Sequence, residues 1–193
     1  SPSFVDIDGD GDLDLYVCAF DAANRLYLNE KGVFKECAKE AGLNFKGVSV
    51  NMAFADYDLD GDLDGYLLTN RPFSPDENYS VSDRATANRV YRQLQKDAKG
   101  NFIMPDHLRE IFEVVWNPAG QMHMFIRAGQ YDHLYRNDGP VEKGGVPRFT
   151  DVTEVAGLKD NGMGLSATWF DYDADGYPDL FVANDYYGAD HLF

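Results

Sequence analysis

Three nine-residue stretches hold the residues of this chain whose types and spacing could do chemistry. They are Asp6-Ile7-Asp8-Gly9-Asp10-Gly11-Asp12-Leu13-Asp14, Asp56-Tyr57-Asp58-Leu59-Asp60-Gly61-Asp62-Leu63-Asp64 and Asp171-Tyr172-Asp173-Ala174-Asp175-Gly176-Tyr177-Pro178-Asp179, and each reads D-x-D-x-D-G-x-x-D. Carboxylates at the first, third, fifth and ninth positions, with a glycine at the sixth to allow a sharp turn, supply the oxygen ligands that a calcium ion takes. The seventh position is Asp12, Asp62 or Tyr177; its chemistry varies, as expected if it offers a cation only its backbone carbonyl. Four like charges in one tight loop repel one another and raise one another's pKa values, so an unfilled loop is a poor place to hold them. A single copy is explained by an acidic surface turn. Three copies in one frame point to three calcium sites.

The EF-hand shares D-x-D-x-D-G but carries a bidentate Glu at loop position 12, between two helices. Position 12 here is Val17, Leu67 or Val182. Short apolar, β-prone runs follow each loop, Leu15-Tyr16-Val17-Cys18, Gly65-Tyr66-Leu67-Leu68 and Leu180-Phe181-Val182-Ala183, and further apolar residues precede it. The loops are therefore expected to join strand to strand, which excludes the EF-hand.

Spacing sets the frame of the rest. The loop glycines Gly11, Gly61 and Gly176 lie 50 and 115 residues apart, so the second interval holds room for one more copy. Trp116 to Phe125 aligns on Tyr57 to Tyr66 and keeps the glycine as Gly120, but its ligand positions are Val115, Asn117, Ala119 and His123. This copy is read as a degenerate loop without metal. A second set of segments recurs in the same order: Asn24-Arg25-Leu26-Tyr27-Leu28-Asn29, Asn88-Arg89-Val90-Tyr91-Arg92, Asp132-His133-Leu134-Tyr135-Arg136-Asn137 and Asp190-His191-Leu192-Phe193. Phe34 to Leu43 and Phe149 to Leu158 then match one another, each ending in Ala-Gly-Leu.

Each repeat thus reads as strand, acidic loop, strand, and a second hairpin. The predicted fold is all-β: β-propeller blades of four antiparallel strands, about three and a half of them, forming a partial propeller or an arc of a larger one. One domain is expected over 1–193, with repeats at approximately 1–49, 50–111 (with an insertion at 71–87), 112–163 (with the degenerate loop) and 164–193 (incomplete). Propellers typically close with ~4 to 8 blades, so the ring is expected to be completed by further residues or by another chain.

Composition bounds the function. The net charge is −16, from 17 basic and 33 acidic residues, and three divalent ions would leave it at −10, which argues against nucleic acid or an anionic membrane surface as partner. No apolar run approaches the ~18 residues of a membrane span. Cys18 and Cys37 align with the apolar positions Ala183 and Val152, so buried free thiols are expected, with a disulfide as the alternative.

These residues resemble the FG-GAP/VCBS repeats, found in bacterial secreted proteins, in the cartilage acidic protein family and, more distantly, in the integrin α-subunit propeller. The resemblance rests on D-x-D-x-D-G-D-L-D with its aromatic-apolar strand, N-R-L-Y-x-N, and F-x-D-V-T-x-x-A-G-L, recurring in fixed order across essentially the whole chain. It implies calcium-binding blades, with ligands at the first, third, fifth and ninth positions of all three loops, in extracellular, periplasmic or cell-surface proteins that serve adhesion or interaction. A protein or glycan partner is implied, unidentified by the sequence.

Two rivals stand beside that reading. One is a glycan-binding or enzymatic propeller with a site in its central funnel, which fold alone does not exclude. No catalytic set stands out, however: His133 and His191 fall where Arg25 and Arg89 also sit, His107 and His123 lack metal-ligand spacing, and the serines lack a nucleophile elbow. The expectation is a protein that is not an enzyme. The other rival is a subunit of a larger extracytoplasmic assembly, contacted through the insertion with its Phe73 and Tyr79.

Overall fold

The computed structural model describes residues 1–70, 92, 94–100, 102–105, 112–117, 121–127, 129–142, 144–158, 162–185 and 189–193. In chain order its strands are β1 (Pro2–Val5), β2 (Asp14–Val17), β3 (Phe20–Ala23), β4 (Arg25–Glu30), β5 (Val33–Glu36), β6 (Lys46–Ala55), β7 (Asp64–Thr69), β8 (Gln95–Lys96), β9 (Phe102–Ile103), β10 (Phe112–Asn117), β11 (Met122–Arg127), β12 (His133–Pro140), β13 (Pro147–Asp151), β14 (Gly164–Phe170), β15 (Asp179–Asn184) and β16 (His191–Leu192). One helical turn, α1 (Ala38–Ala41), completes the set. The structure is nearly all-β, with strands packed as units compatible with a partial β-propeller.

Each acidic loop joins two antiparallel strands. In the first unit the order is β1-β2-β4-β5, with Phe4 opposite Leu15 and Leu15 opposite Tyr27 in one cross-strand row. The outer hairpin leads into α1, which closes on Gly42 at φ 84, a left-handed C-cap that glycine adopts without steric cost. Gly157 ends the matching Ala-Gly-Leu turn at φ 74.

The second unit runs β13-β12-β7-β6, with β3 added beside β6. Here the observed pairing corrects the frame expected from spacing. Spacing places residues 133–151 in a repeat at 112–163, but His133 pairs with Leu67 just as Arg25 pairs with Val17. The outer hairpin of the second unit therefore comes from residues 133–151, and 70–132 is one long excursion between its second and third strands. The physical reason lies at the base of that excursion. Asp132 accepts the N–H of Thr69 at 2.7 Å and the hydroxyl of Tyr66 at 2.9 Å, and the Thr69 hydroxyl donates to the Gln130 carbonyl at 3.0 Å.

Within the excursion, β10 and β11 pair with one another as a separate two-stranded sheet, the hairpin that the degenerate-loop reading anticipated at Trp116 to Phe125. The insertion expected at 71–87 and the strand echo at 88–91 lie outside the described residues. The third unit contributes β14-β15-β16. The described residues thus supply two four-stranded units, three strands of a third, and the separate hairpins.

The core lies between units, because each sheet has two apolar faces to cover. Ile7, Tyr16, Leu26 and Leu43 of the first unit pack against Met52, Leu67, Tyr135 and Phe149 of the second. On the other face of the second unit, Tyr66, Leu68 and Leu134 pack against Ala167, Leu180 and Val182 of the third. All six residues of β7 are consequently buried, which is why Tyr66, Leu67 and Leu68 at its centre run on without polar alternation. Trp169 of the third unit stacks on Tyr57 and donates its indole N–H to the Ala53 carbonyl at 3.1 Å. Cys18 and Cys37 are both free and buried, and burial pushes each thiol up to about 11. The disulfide alternative is not adopted.

Candidate metal centres

The three loops fold alike because each aspartate first serves its own turn. In the first loop the carboxylate of Asp6 accepts the N–H groups of Asp10 and Gly11, and Asp10 accepts that of Asp12 at 2.8 Å. Asp56 and Asp60 do the same for Asp60, Gly61 and Asp62. Asp171 and Asp175 do so for Asp175, Gly176 and Tyr177. The sixth-position glycines sit at φ 93 to 99. These bonds wind the chain so that the carboxylates converge.

The ninth position does something further. Asp14 Oδ2 accepts the N–H of Ile7 and Oδ1 that of Asn29, each at 2.8 Å, which ties the loop to itself and to the third strand of its unit. Asp64 does the same with Tyr57 at 3.1 Å and Asn137 at 2.8 Å. Asp179 accepts from Tyr172 at 2.6 Å. Asp14 and Asp64 are fully buried. Burial raises the carboxyl of Asp64 to about 6, against the lowering pull of its two N–H donors, and neighbouring Asp58 and Asp60 raise it further. Burial likewise raises Asp14. It also raises Asp8, helped by the charges of Asp14 and Asp10.

In each loop three carboxylates bring oxygens within 4.8 Å of one another: Asp6, Asp8 and Asp10 in the first, Asp56, Asp58 and Asp64 in the second, Asp171, Asp173 and Asp179 in the third. Asp14, Asp60 and Asp175 fall outside these trios, although they belong to the sequence-predicted sets. The seventh-position side chains turn elsewhere. Asp12 accepts the N–H of Lys31 at 2.8 Å, Asp62 lies near Gly139, and Tyr177 is exposed. Only the backbone of that position is left to face a cation.

The donor set fits calcium. It is all oxygen and anionic, each carboxylate oxygen keeps a second lone pair after accepting one N–H, and the groups sit on a turn that hydrogen bonds already hold. When bound, the ion would supply the positive charge that removes the mutual repulsion of the loop carboxylates.

The loop motif concealed two sets of residues on which it depends. Asn29 and Asn137 close the ninth-position carboxylates and hold Leu13 and Leu63 by their amides at 2.9 and 3.3 Å; their shared place at the end of N-R-L-Y-x-N was the available signal. The fourth loop position is left-handed in every copy, at Gly9 (φ 72), Leu59 (φ 60) and Ala174 (φ 62). Leucine and alanine gave no sign of it, since side chains rarely adopt that region.

Away from the loops, His133 contacts Asp151 at 2.8 Å, stacks on Tyr135 and meets the Phe45 ring at a tilt. That places it on the strand surface, paired through a carboxylate that burial raises but the Thr153 hydroxyl and His133 bring below its ordinary range. No described helix is long and apolar enough to cross a membrane.

No curated protein matches the chain. The stretch from the first loop to β7, holding two of the three acidic loops, does match a family model, and residues 6–67 carry an FG-GAP-like repeat.

Proposed function

We propose that this protein is a calcium-stabilised β-propeller module of an extracellular, periplasmic or cell-surface protein, serving interaction, adhesion or structure. The observation that carries the reading is the threefold recurrence of one loop, with the same backbone hydrogen bonds and three carboxylates gathered in each copy, the first- and third-position aspartates always among them. An FG-GAP-like repeat over 6–67 supports it. The ligands are Asp6, Asp8, Asp10 and Asp14 in the first site, Asp56, Asp58, Asp60 and Asp64 in the second, and Asp171, Asp173, Asp175 and Asp179 in the third, with the carbonyls of Asp12, Asp62 and Tyr177. Calcium bound to folded loops and not to the unfolded chain stabilises by mass action. Extracellular millimolar calcium suits sites with dissociation constants of ~10⁻⁴ to 10⁻³ M.

The ring is completed by further residues or another chain, and two free faces support this. Phe170, Tyr172, Phe181 and Leu192 are exposed on the third unit, at the positions where Val5, Ile7, Tyr16 and Leu26 form the junction of the first unit with the second. Phe4 on the opposite face of the first unit is 63% exposed, whereas its counterpart Phe54 packs into that junction. Each face thus has the pattern of a blade contact.

Thermal unfolding with calcium chloride and with a chelator tests the calcium reading. Each site at ten times its dissociation constant contributes about 1.4 kcal/mol, so three sites move the midpoint upward by many degrees in calcium. Superimposed melting curves would overturn the proposal.

A further inference from the structure

Asn137 touches two acidic loops at once. Its main-chain N–H donates to Oδ1 of Asp64 at 2.8 Å, and its buried side-chain amide donates to the carbonyl of Leu63 at 3.3 Å and to that of Ile7 at 3.4 Å. Its Oδ1 accepts the N–H of Gly139 at 3.0 Å, which fixes the amide's orientation. Leu63 immediately precedes Asp64 in the second loop. Ile7 lies between Asp6 and Asp8 in the first loop, and its own N–H donates to Asp14. An unbroken path of hydrogen bonds therefore crosses the junction between units, from the Asp64 carboxylate through Asn137 and the flanking peptides of Ile7 to the Asp14 carboxylate. The counterpart Asn29 holds Asp14 and Leu13 within its own unit. Among the described residues no side-chain amide joins the second loop to the third.

We propose that Asn137 couples the first and second cation sites, so that calcium in one raises the affinity of the other; the inference rests on the calcium reading of the loops. A cation in the first loop fixes Asp6, Asp8 and the peptides of Ile7 between them. The Ile7 carbonyl then holds the Asn137 amide, and Asn137 presents Asp64 and the Leu63 carbonyl in place. The second ion meets ligands already ordered, so less conformational entropy is lost on binding it. Coupling of this kind is reciprocal. Direct repulsion between the two ions opposes it, but at ~0.15 M salt charges are screened over about 8 Å. The third site, without such a bridge, binds independently.

Calorimetric titration with calcium chloride at ~0.15 M salt tests this in an Asp173→Asn background, which removes the third site. Adding Asp8→Asn isolates the second site, and adding Asp58→Asn isolates the first. The expected result is that losing either site weakens the other about five- to tenfold, equally in both directions. Asn137→Ala abolishes the interdependence, whereas Asn29→Ala leaves it in place. If Asn137→Ala proves unfolded by circular dichroism, Asn137→Ser replaces it, and the two single-site proteins report the coupling without either. Sites that bind with the same affinity alone and together, sites that weaken one another, or coupling that survives in Asn137→Ala would each overturn the proposal. Absence of calcium binding by any loop would instead remove the calcium reading beneath it.

Discussion

The first and second units perform the same folding task with connections of very different length. Between its second and third strands the first unit spends residues 18–24, and the second spends 70–132, a connection roughly nine times longer. Yet the strands they join meet in the same register, Val17 with Arg25 and Leu67 with His133. What makes this possible is a polar clasp at one position. In the first unit Asn24 accepts the Ala19 N–H at 2.8 Å and donates to the Tyr16 hydroxyl and to Ser49, each at 2.9 Å. In the second unit Asp132 accepts from Thr69 and Tyr66, and a third copy of the contact joins Asp190 to the Asn184 N–H at 2.9 Å. The difference teaches that register in this repeat is held at the strand ends.

If the clasp sets the register, breaking it costs more where the connection is long. Asp132→Ala takes its charged acceptor from the buried Thr69 N–H and one charged partner from the Tyr66 hydroxyl; hydrogen bonds to charged groups are worth ~1.5 to 3 kcal/mol each, so urea unfolding is expected to show a loss of about 3 to 5 kcal/mol. Asn24→Ala is expected to lose about 2 kcal/mol, because the Tyr16 hydroxyl still donates to the Leu43 carbonyl at 3.1 Å. Asp132→Asn copies the first unit's arrangement, accepting from Thr69 and donating to Tyr66, and should cost only about 1 kcal/mol. Equal losses for Asp132→Ala and Asn24→Ala would remove the distinction between long and short connections.

The units differ next in their ninth-position carboxylates. Asp64, fully buried, is pushed up to about 6 from an ordinary value of 3.8, so between about pH 4 and 6 the folded protein holds a proton there that the unfolded chain has already released. In the presence of a chelator the stability this confers is complete below about pH 4 and is lost as pH rises through about 6. Unfolding free energy is then expected to fall by roughly 1 to 2 kcal/mol between pH 5 and pH 7, and Asp64→Asn to flatten the profile. Calcium reverses the sign, since the ion binds the ionised carboxylate and competes with the proton. A profile unchanged by Asp64→Asn would place the titrating group elsewhere.

How much of this could be read beforehand follows the range of the interactions. The acidic loops were legible because all their determinants lie within nine residues and nearly every one is a side-chain type with a fixed use. The strands on either side were legible from their aromatic and β-branched content. The pairing of β7 with β12 was not, because spacing alone suggested a repeat at 112–163, and the hairpin β10–β11 has the alternation and glycine of a blade hairpin. The contrary signal was present in the outer segments. Phe34 to Leu43 has a single partner, Phe149 to Leu158, and the stretch after Asn88-Arg89-Val90-Tyr91-Arg92 has no such sequel. A segment with N-R-L-Y-x-N character but no Ala-Gly-Leu sequel cannot complete a unit, and Asp132 stands where Asn24 and Asp190 do. The burial that lifts Asp64 was hidden for a related reason, since the strand that closes over it brings Asn137 from 73 residues away and no local pattern records it.

The smallest expected effect comes from removing the excursion itself. Replacing 71–129 by a short polar linker keeps Thr69, Asn70, Gln130 and Asp132, and therefore the clasp, the Val48 N–H bond to Gln130 at 2.9 Å and the Asn70 bond to the Gly164 carbonyl at 3.0 Å. Loop-closure entropy grows only with the logarithm of length, so a ninefold shortening is worth about 2 kcal/mol at most, and in the stabilising direction. Among the described residues β8 pairs with β9 and β10 with β11, each as a separate sheet, so their loss is expected to subtract little from the stacked units. Urea unfolding of the shortened protein should thus give a midpoint equal to or slightly above that of the parent, with calcium binding intact at all three loops. A drop of several kcal/mol would show that the excursion supports the second unit, and the register would then depend on more than its ends.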